Sequence, residues 1–489
     1  MKREFREPMD LPAPDGTPQS AADYNIVFTW AISLVAALGG LLFGYDWVVI
    51  GGAKPFYEKF FHLTNPSQQG WAMSCALVGC LVGALVSGGL SDRFGRKRLL
   101  ILSALLFALS SAGTGMAQSF GAFVRWRITG GVAIGLASNL SPMYIAEVSP
   151  AHVRGKMVSV NQLTIVIGIL LAQFVNWLIA KPVPLSATAV DILNSWNGQI
   201  GWRWMFGATA VPALVFFVGM LAVPESPRWL VKSGHREKAR SVLEKIGGVH
   251  GAEALAEIEA SVGDGQPAGS FKALLHPAMA KVLLLGIGLA VLQQWCGINV
   301  IFNYAQEVFS AAGYKVSDLL FNIVITGTVN LVFTLVAMIL VDGAGRRILM
   351  LMGSAGLAVI YFALGTGYHS GRQGILMLIL VVAAIACYAM SLAPVTWVVI
   401  SEIFPNRIRG GAMSIAVMFL WVACFVLTFT FPLINSSLGP ATTFWIYALV
   451  CAIGFTFVYF QLPETRGKTL EEIERYWVDG EKARAQPET

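Results

Sequence analysis

Twelve long apolar segments follow one another along the chain, separated by polar residues. Each has about 20 residues, the length that an α-helix needs to cross ~30 Å of hydrocarbon, whereas membrane-spanning β-strands are alternating segments of about 10 residues. The pattern therefore predicts twelve transmembrane helices and an all-α membrane protein. The predicted spans lie near 26–50, 70–90, 98–117, 120–142, 157–180, 202–223, 279–302, 318–341, 348–367, 374–400, 411–434 and 442–462.

The composition supports a chain surrounded by a lipid bilayer. Of the 489 residues, 56% are hydrophobic and only 13% are charged, about half of the ~25% charged residues found in soluble domains. So few charges could not cover the surface of a soluble chain of this size. In such a protein the net charge of +6 does not indicate nucleic-acid binding, and we expect no nucleic acid as a partner.

Basic residues are distributed unequally between the two sides of the predicted bundle. Of the 34 lysines and arginines, 26 lie in the two tails and in or beside the loops after the even-numbered helices, and five lie in the opposite loops. Positively charged short loops stay in the cytoplasm. We therefore expect a multi-pass protein of the inner (plasma) membrane with both termini in the cytoplasm.

One long polar connection divides the twelve helices into two groups of six. Within it, residues 235–246 and 252–262 are predicted to form short helices between glycine-rich turns. The predicted organisation is a cytoplasmic tail (1–24), a six-helix bundle (25–223), a cytoplasmic linker with short helices (224–278), a second six-helix bundle (279–462) and a second cytoplasmic tail (463–489).

The two groups of helices carry matching motifs on the side of the linker. Residues 89–97 correspond to residues 341–347, and residues 147–150 correspond to residues 402–405. Ordered matches on one side of the membrane indicate a duplication. Parallel repeats of six helices are typical of secondary transporters, in which one half rocks against the other around a site near the membrane midplane.

These motifs resemble those of the sugar porter family of the major facilitator superfamily, which includes proton-coupled xylose and hexose symporters and facilitative glucose transporters. The resemblance covers about residues 25–475 and includes Pro-Glu-Ser-Pro-Arg-Trp-Leu at 224–230 and Pro-Glu-Thr-Arg-Gly-Lys-Thr at 463–469. It implies the major facilitator fold with two six-helix pseudo-repeats, and a secondary active transporter that imports a monosaccharide, pentose or hexose, together with a proton. A facilitative sugar uniporter and a non-transporting sugar sensor are the alternative functions.

Two ionisable residues are predicted to lie inside helices, where charge is costly and usually functional. Asp46 is late in the first predicted helix and Arg127 is early in the fourth, so the topology places them at a similar depth and we expect them to pair. Because a guanidinium keeps its proton under physiological conditions, the carboxyl is the predicted switch, and the resemblance to proton symporters implies proton coupling. The alternative is a static ion pair between the two helices.

A sugar site needs amides, which pair with adjacent hydroxyls, and an aromatic plane for the apolar face of the ring. The seventh predicted helix supplies Gln293, Gln294 and Asn299 around a break at Gly297, where irregular backbone can line a cavity. The resemblance adds further substrate positions. These are Gln162, Asn330, Trp397 and Trp421 as matching sugar-contacting residues, Ile169 in place of a glutamine, Phe302 as a partial replacement for an aromatic gate, and Phe43 as a ring that lines the pocket.

Acidic and basic residues at the linker-side ends of the helices are predicted to form a cytoplasmic latch, which bridges the two halves when the inner side is closed. Each exposed pair is expected to contribute under about 1 kcal/mol, so breaking one biases the conformational equilibrium without blocking transport. Ordinary positive-inside topology is the alternative explanation. The residues are Asp92, Arg96, Glu147, Arg154, Glu225, Arg346, Glu402, Arg409 and Glu464. Among them, Glu147 is expected to pair with Arg154, and Glu402 with Arg409.

The sequence gives no indication of an enzyme, a metal site or a cofactor. The six histidines lie in loops or near helix ends without metal-ligand spacing. Residues 467–469 resemble the end of a phosphate loop, but Leu462 stands where its first glycine is required. We therefore expect no metal, no cofactor, no obligate protein partner and an ion gradient as the energy source.

Overall fold

The computed structural model describes residues 24–150, 153–184, 187–263, 277–314, 316–404 and 409–464, and these residues contain no β-strand. Five long helices begin the first half of the molecule. They are α1 (Ile26–Phe60), α2 (Pro66–Phe94), α3 (Arg96–Gly115), α4 (Phe120–Val148) and α5 (Arg154–Ile179).

The first half ends with a segmented sixth membrane crossing, and a group of short helices follows it. The crossing consists of a π-helical turn (Asn197–Gly201), α7 (Trp202–Gly207) and α8 (Ala210–Ala222), and the short α6 (Ala189–Asn194) precedes it. The following helices are α9 (Pro227–Lys232), α10 (Arg236–Gly247) and α11 (Gly251–Gly263), with a 3-10 turn (Gly248–His250) between the last two.

The second half contains two broken helices. Gly297, in a left-handed conformation with φ 86°, separates α12 (Pro277–Trp295) from α13 (Ile298–Asn303), and α14 (Ala305–Ala311) continues the same segment. Ser391 separates α17 (Ile375–Met390) from α18 (Leu392–Ile403). The other helices are α15 (Val316–Ala344), α16 (Arg346–His369) and α19 (Arg409–Gln461).

The described residues make twelve membrane crossings. Ten helical stretches of the described residues are long and apolar enough to cross a membrane. Helix α4 is not among them although it has 29 residues, because Arg125, Arg127 and several other polar residues reduce its hydropathy. Helix α19 counts as one of these ten stretches. As a straight helix its apolar stretch would be ~77 Å long at 1.5 Å per residue, far more than ~30 Å of hydrocarbon. It is interrupted at Gly439, which has φ 76° and ψ 168°, so it makes two crossings.

Local sequence signals explain where several helices begin. The side chain of Asn25 accepts a hydrogen bond from the Phe28 N–H at the start of α1, and that of Asn65 accepts one from the Ser67 N–H at the start of α2. Ser119 does the same for α4. Short polar side chains satisfy N–H groups that have no partner within the helix, so each of these helices begins at a defined residue.

Glycines allow the helices of the first half to pack at very short distances. A Cβ added at any of four glycines between α2 and α4 would lie within 2.4 Å of a backbone oxygen of the other helix. Small residues at such contacts let helix backbones approach closely in lipid, where no hydrophobic force drives helices together. This packing holds α4, and therefore Arg127, in a fixed position. The four residues are Gly79, Gly83, Gly131 and Gly135.

Helix α1 is longer than the sequence pattern predicts. The predicted span ends near residue 50, where Lys54, Pro55 and Glu58 interrupt the apolar run, but the helix continues to Phe60. The predicted end was wrong because Lys54 is buried inside the protein and paired with carboxylates, which removes the cost of placing it in an apolar environment.

The short helices α9–α11 identify one end of the bundle, which we call the linker face. The indole N–H of Trp229, on α9, donates to the carbonyl of Asp92 at the end of α2, and the Asn25 N–H donates to the carbonyl of Ile246 on α10. The other end is called the opposite face. The two halves of the bundle meet mainly where α2 packs on α19 and α5 packs on α15.

Candidate functional site

A buried ion pair joins α1 to α4 inside the first half. One guanidinium nitrogen of Arg127, Nη1, lies 2.9 Å from both carboxylate oxygens of Asp46, and Nη2 lies 3.4 Å from the Asp46 backbone carbonyl. Both side chains are 4% exposed. The predicted proximity of the two residues is therefore observed.

The surroundings of this pair make each charge dependent on the other. The guanidinium lies over the ring of Phe206 at 5.4 Å, and its Nε has no hydrogen-bond partner among the described residues. Removing one member of such a pair leaves an uncompensated buried charge, at a cost of about 3–5 kcal/mol.

Three amides form a connected chain at the break in the segment α12–α13. The amide nitrogen of Asn299 lies 2.5 Å from the Gln294 oxygen, and the amide nitrogen of Gln294 lies 2.9 Å from the Gln293 oxygen. Gln293 in turn reaches the carbonyl of Ala393 on α18 at 3.4 Å. The left-handed turn at Gly297 brings residues on either side of the break together, so the chain can offer donors and acceptors to one ligand.

An aromatic cluster joins α1 to α19, the helix that also contacts this amide chain. The amide nitrogen of Asn299 lies 3.6 Å from the sulfur of Cys424, three residues after Trp421. The Trp421 ring is 5.9 Å from that of Phe43 and 6.1 Å from that of Trp47. Its indole nitrogen is buried without a hydrogen-bond partner in the described part of the chain, as expected of a donor that a ligand could use.

The other predicted substrate residues are less closely connected to this centre. Asn330 and Phe302 are buried, Gln162 and Ile169 are half-buried, and Trp397 is 37% exposed. Among the described residues, no hydrogen bond joins Gln162, Asn330 or Trp397 to the amide chain. The structure thus brings together Gln293, Gln294 and Asn299, and separately Phe43 and Trp421, and in the described part of the chain no hydrogen bond or ring pair joins the others to them.

On the linker face, the first half contains a network of charged residues. Arg96 lies 3.1 Å from both oxygens of Glu147, and the second of these oxygens also accepts a hydrogen bond from Ser226. The carboxylate of Glu225 accepts hydrogen bonds of 3.0 and 3.1 Å from the backbone N–H groups of Arg96 and Lys97. Burial raises the pKa of Glu225, and these N–H donors oppose the increase.

The second half contains the equivalent network. Glu464 accepts hydrogen bonds of 2.9 and 3.1 Å from the backbone N–H groups of Arg346 and Arg347, and the Arg346 guanidinium lies 3.2 Å from Glu402. In both halves a carboxylate therefore binds the N-terminus of a helix, where free N–H groups and the helix dipole favour an anion. The side chain of Arg409 lies outside the described residues.

The observed pairing differs from one predicted detail of the linker face. Arg154 was expected near Glu147, but its guanidinium donates to the carbonyl of Ser149, and Glu147 pairs with Arg96. Asp92, half-exposed, pairs with Arg96 and Lys232. Every ion pair described on this face lies within one half together with its adjoining linker helices, so none of them bridges the two halves in this conformation.

Sequence reasoning missed two residues. Trp47 follows Asp46 directly, and its position four residues after Phe43 places both rings on one face of α1; this spacing was the available signal. Lys54 was counted among the loop residues, but its side chain is buried and contacts Glu58 on α1 and Glu307 on α14. Nothing in the local sequence identifies Glu307 as its partner. No cluster of potential metal ligands occurs among the described residues.

Two related six-helix halves, a buried ion pair in one of them, and amides near a cluster of aromatic rings at their interface define a membrane transporter of the major facilitator fold. The chain belongs to the sugar (and other) transporter family, whose model matches residues 32–477. This confirms the predicted fold, the predicted family and the prediction that the protein is a transporter and not an enzyme.

Similarity to characterised relatives extends over nearly the whole chain. It is 39% identical over 486 residues to the D-xylose-proton symporter of Escherichia coli strain K12, covering 93% of this chain and 96% of that protein. It is also 39% identical over 457 residues to the arabinose-proton symporter of Bacillus subtilis strain 168, with the same coverages. Among solved structures, it is similar to the inward open conformation of the xylose transporter XylE from E. coli, with a TM-score of 0.80 and 38% identity, covering 92% of this chain and 100% of that one.

Proposed function

We propose that this protein imports a monosaccharide by proton symport, with a site that opens to one side of the membrane at a time. The observation that carries this proposal is the ion pair between Asp46 and Arg127, buried on the helix that also supplies Phe43 to the aromatic cluster. A buried acid within a membrane helix is costly and usually functional. The names of the relatives, a xylose-proton and an arabinose-proton symporter, support the same activity.

The proton site in this proposal is the Asp46 carboxyl. Protonation removes the negative charge that holds Arg127, which keeps its own charge at any physiological pH. The contact of two charges at 2.9 Å then becomes a weaker contact between a neutral acid and a cation. Because α1 also carries Phe43, a change in its packing against α4 reaches the sugar pocket directly.

The sugar site in this proposal lies between the amide chain and the aromatic cluster. Gln293, Gln294 and Asn299 supply donors and acceptors for hydroxyl groups, and Trp421 with Phe43 supplies a surface for the apolar face of the ring. Gln162, Ile169, Phe302, Asn330 and Trp397 complete the pocket when the halves move. A pentose or a hexose fits this chemistry, and the difference between them is one hydroxymethyl group.

The linker face is the cytoplasmic face in this proposal, because it carries the excess of lysine and arginine. Both termini then lie in the cytoplasm of a cell with the protein in its inner (plasma) membrane. The bundles 25–223 and 279–462 act as the two moving halves, joined by the linker 224–278 and flanked by the tails 1–24 and 463–489. The latch residues pair within each half when the cytoplasmic side is open, and across the halves when it is closed.

Sugar uptake into proteoliposomes tests the proposal. The purified protein is given xylose, arabinose, glucose and galactose, each with an imposed proton gradient and again with a protonophore. A driving force of ~150 mV supplies about 3.5 kcal/mol per charge, which corresponds to roughly 300-fold accumulation. Accumulation that the protonophore abolishes supports symport. Uptake that only equilibrates in both conditions indicates a uniporter, and binding without uptake indicates a sensor.

A further inference from the structure

A second charge cluster, in which the Glu307 side chain is 25% exposed, lies between the two halves near the opposite face. The Lys54 side chain on α1 is 2% exposed, and its Nζ lies 2.9 Å from Glu58 Oε1, one turn further along the same helix. The same Nζ is in direct contact with Glu307 Oε1 on α14. Helix α1 belongs to the first half and α14 to the second, so this cation joins the halves.

The backbones also meet at this point. A Cβ added to Gly51 of α1 would lie 2.7 Å from the carbonyl oxygen of Phe302 on α13, so the helices are in contact one turn before Lys54. The ring of Tyr304 lies 5.6 Å from the Lys54 ammonium. The second oxygen of Glu307 is buried and has no hydrogen-bond partner among the described residues. The charged contact is therefore part of a closed interface.

We infer that Lys54, Glu58 and Glu307 form a charged clasp, in which the contact of Lys54 with Glu307 holds the opposite face closed and breaks whenever that face opens. This inference goes beyond the proposed coupling role of Asp46, which pairs within one half. It rests on the proposed alternation of the two halves, because a clasp has a role only if they separate.

The position of Glu58 explains how the clasp can open. Separating α1 from α14 removes Glu307 from Lys54, but Glu58 lies on the same helix as Lys54 and moves with it. The ammonium therefore keeps one carboxylate partner and is not left as a bare charge in an apolar environment, which would be very costly. On the other side, Glu307 gains water at an oxygen that has no partner in the closed state. Both states are thus stabilised, as a reversible gate requires.

Charge arithmetic supports the division of roles between the two carboxylates. One cation faces two acidic side chains, so the cluster has one negative group more than a static ion pair needs. Glu58 alone would suffice to neutralise Lys54 within α1. The additional carboxylate on the other half makes the contact dependent on the relative position of the halves.

A labelling experiment tests the clasp without relying on sugar transport. Asn303, 4% exposed on α13, is replaced by cysteine as a reporter of access from the opposite face, and a membrane-impermeant maleimide is added from that side. The reporter-free protein gives the background from the native cysteines. The rate is measured for the reporter protein alone and with each of the variants Glu307→Gln, Lys54→Met/Glu307→Gln, Glu58→Gln and Lys54→Glu/Glu307→Lys.

We expect Glu307→Gln and the double neutral variant, Lys54→Met/Glu307→Gln, to react with the maleimide at least about tenfold faster than the reporter protein alone. This rate difference corresponds to a shift of about 1.4 kcal/mol in the conformational equilibrium. The matched control Glu58→Gln removes a contact within one helix and should not label faster. The variant with exchanged charges, Lys54→Glu/Glu307→Lys, again places a cation between the halves. Its labelling rate should be equal to or lower than that of the reporter protein. In the double neutral variant, Glu58 is the one charged residue of the clasp that remains, and it can take up a proton. This variant should therefore still fold, as a melting curve will show.

Two results would overturn the clasp. One is a double neutral variant that melts normally and labels at the reference rate, and the other is Glu58→Gln accelerating labelling as much as Glu307→Gln. A protein that moves no sugar but shows the expected labelling pattern would retain the clasp and refute the proposed symport. Proton-coupled uptake with unchanged labelling would retain the proposed symport and refute the clasp.

Discussion

The two halves of the molecule are nearly identical at the linker face. In the first half Glu225 accepts hydrogen bonds from the start of α3, and in the second half Glu464 accepts them from the start of α16. The glycines that precede these helices, Gly95 and Gly345, have the same φ of 93°. A Cβ at either position would lie within 3 Å of the carboxylate, so glycine is required for the contact in both halves.

Within the membrane the halves differ completely. The first half contains the ion pair of Asp46 and Arg127, whereas the helix in the second half that corresponds to α1 has no acidic or basic residue between 282 and 303. It has the neutral amides Gln293, Gln294 and Asn299 instead. The two halves therefore agree where the repeat holds helix ends together, and they differ where the first half has the buried ion pair and the second half has the amides. We propose that the first half carries the proton site and that the amides of the second half bind the sugar.

The change with the largest expected effect removes the charge from the first half. In Asp46→Asn, the residue at this position can no longer gain or lose a proton, so the sugar gradient cannot be driven by the proton gradient. Accumulation should fall from as much as ~300-fold at ~150 mV to about onefold, while sugar exchange across the membrane continues. Proteoliposome uptake and counterflow measure the two quantities.

The control for this experiment is Asp191→Asn. Asp191 is an exposed acid that caps a short helix, and it lies away from the ion pair. Its replacement should leave accumulation unchanged. Full accumulation by Asp46→Asn would mean that the pair is structural and that the division between a proton half and a sugar half is wrong.

The next largest effect is expected in the second half. Gln294 occupies the middle of the amide chain, with one contact to Gln293 and one to Asn299. Gln294→Ala removes the hydrogen bonds that we propose it makes to the sugar and leaves its neighbours unpaired, at a cost of about 1–3 kcal/mol. Sugar affinity should therefore fall roughly 5- to 150-fold. Equilibrium binding of the best substrate to the purified protein measures it.

Asn197→Ala is the matched control for the amide. Asn197 is buried like Gln294, and its amide is also paired on both sides, with the N–H and the carbonyl of Lys181, but it lies in the π-helical turn of the first half. Sugar affinity should be unchanged. Equal losses in the two variants would show that the effect comes from packing and would place the sugar elsewhere.

The same comparison indicates what can be predicted from the sequence. Asp46 and Arg127 could be paired because both interrupt otherwise apolar helices, where a charge demands a partner. The break at Gly297 could be expected because glycine stands among polar residues in a membrane helix. These features depend on residues close together in sequence or on a general cost that applies at any position in the membrane.

The features that the sequence did not predict depend on long-range packing. Lys54 lies beside Pro55 at the end of an apolar run, a pattern typical of a loop, but its side chain is buried against Glu58 and Glu307 and the helix continues past it. The pairing of Glu147 with Arg96 rather than Arg154 depends on how α3 lies against α4. Alternative partners of similar chemistry cannot be distinguished without the relative positions of the helices.

The smallest expected effects come from the linker face, where the halves are alike. Glu147 and Glu402 occupy equivalent positions, but the side chain of Glu147 is 10% exposed against 23% for Glu402. Replacement by glutamine weakens a partly screened contact, with an effect of about 1 kcal/mol or less. The initial rate of sugar uptake should therefore change by up to about fivefold, with a larger change for Glu147→Gln than for Glu402→Gln.

The direction of these two changes reports on the latch. Counterflow with external and with internal sugar separates the steps that open the two faces. If the pairs act only within each half, both variants lower stability and leave the ratio of the two rates unchanged. If the same carboxylates also bridge the halves when the linker face closes, both variants favour the state open to the linker face and shift that ratio in the same sense. A shift for Glu147→Gln alone would show that the duplicated motifs, although alike in structure, are no longer alike in their role.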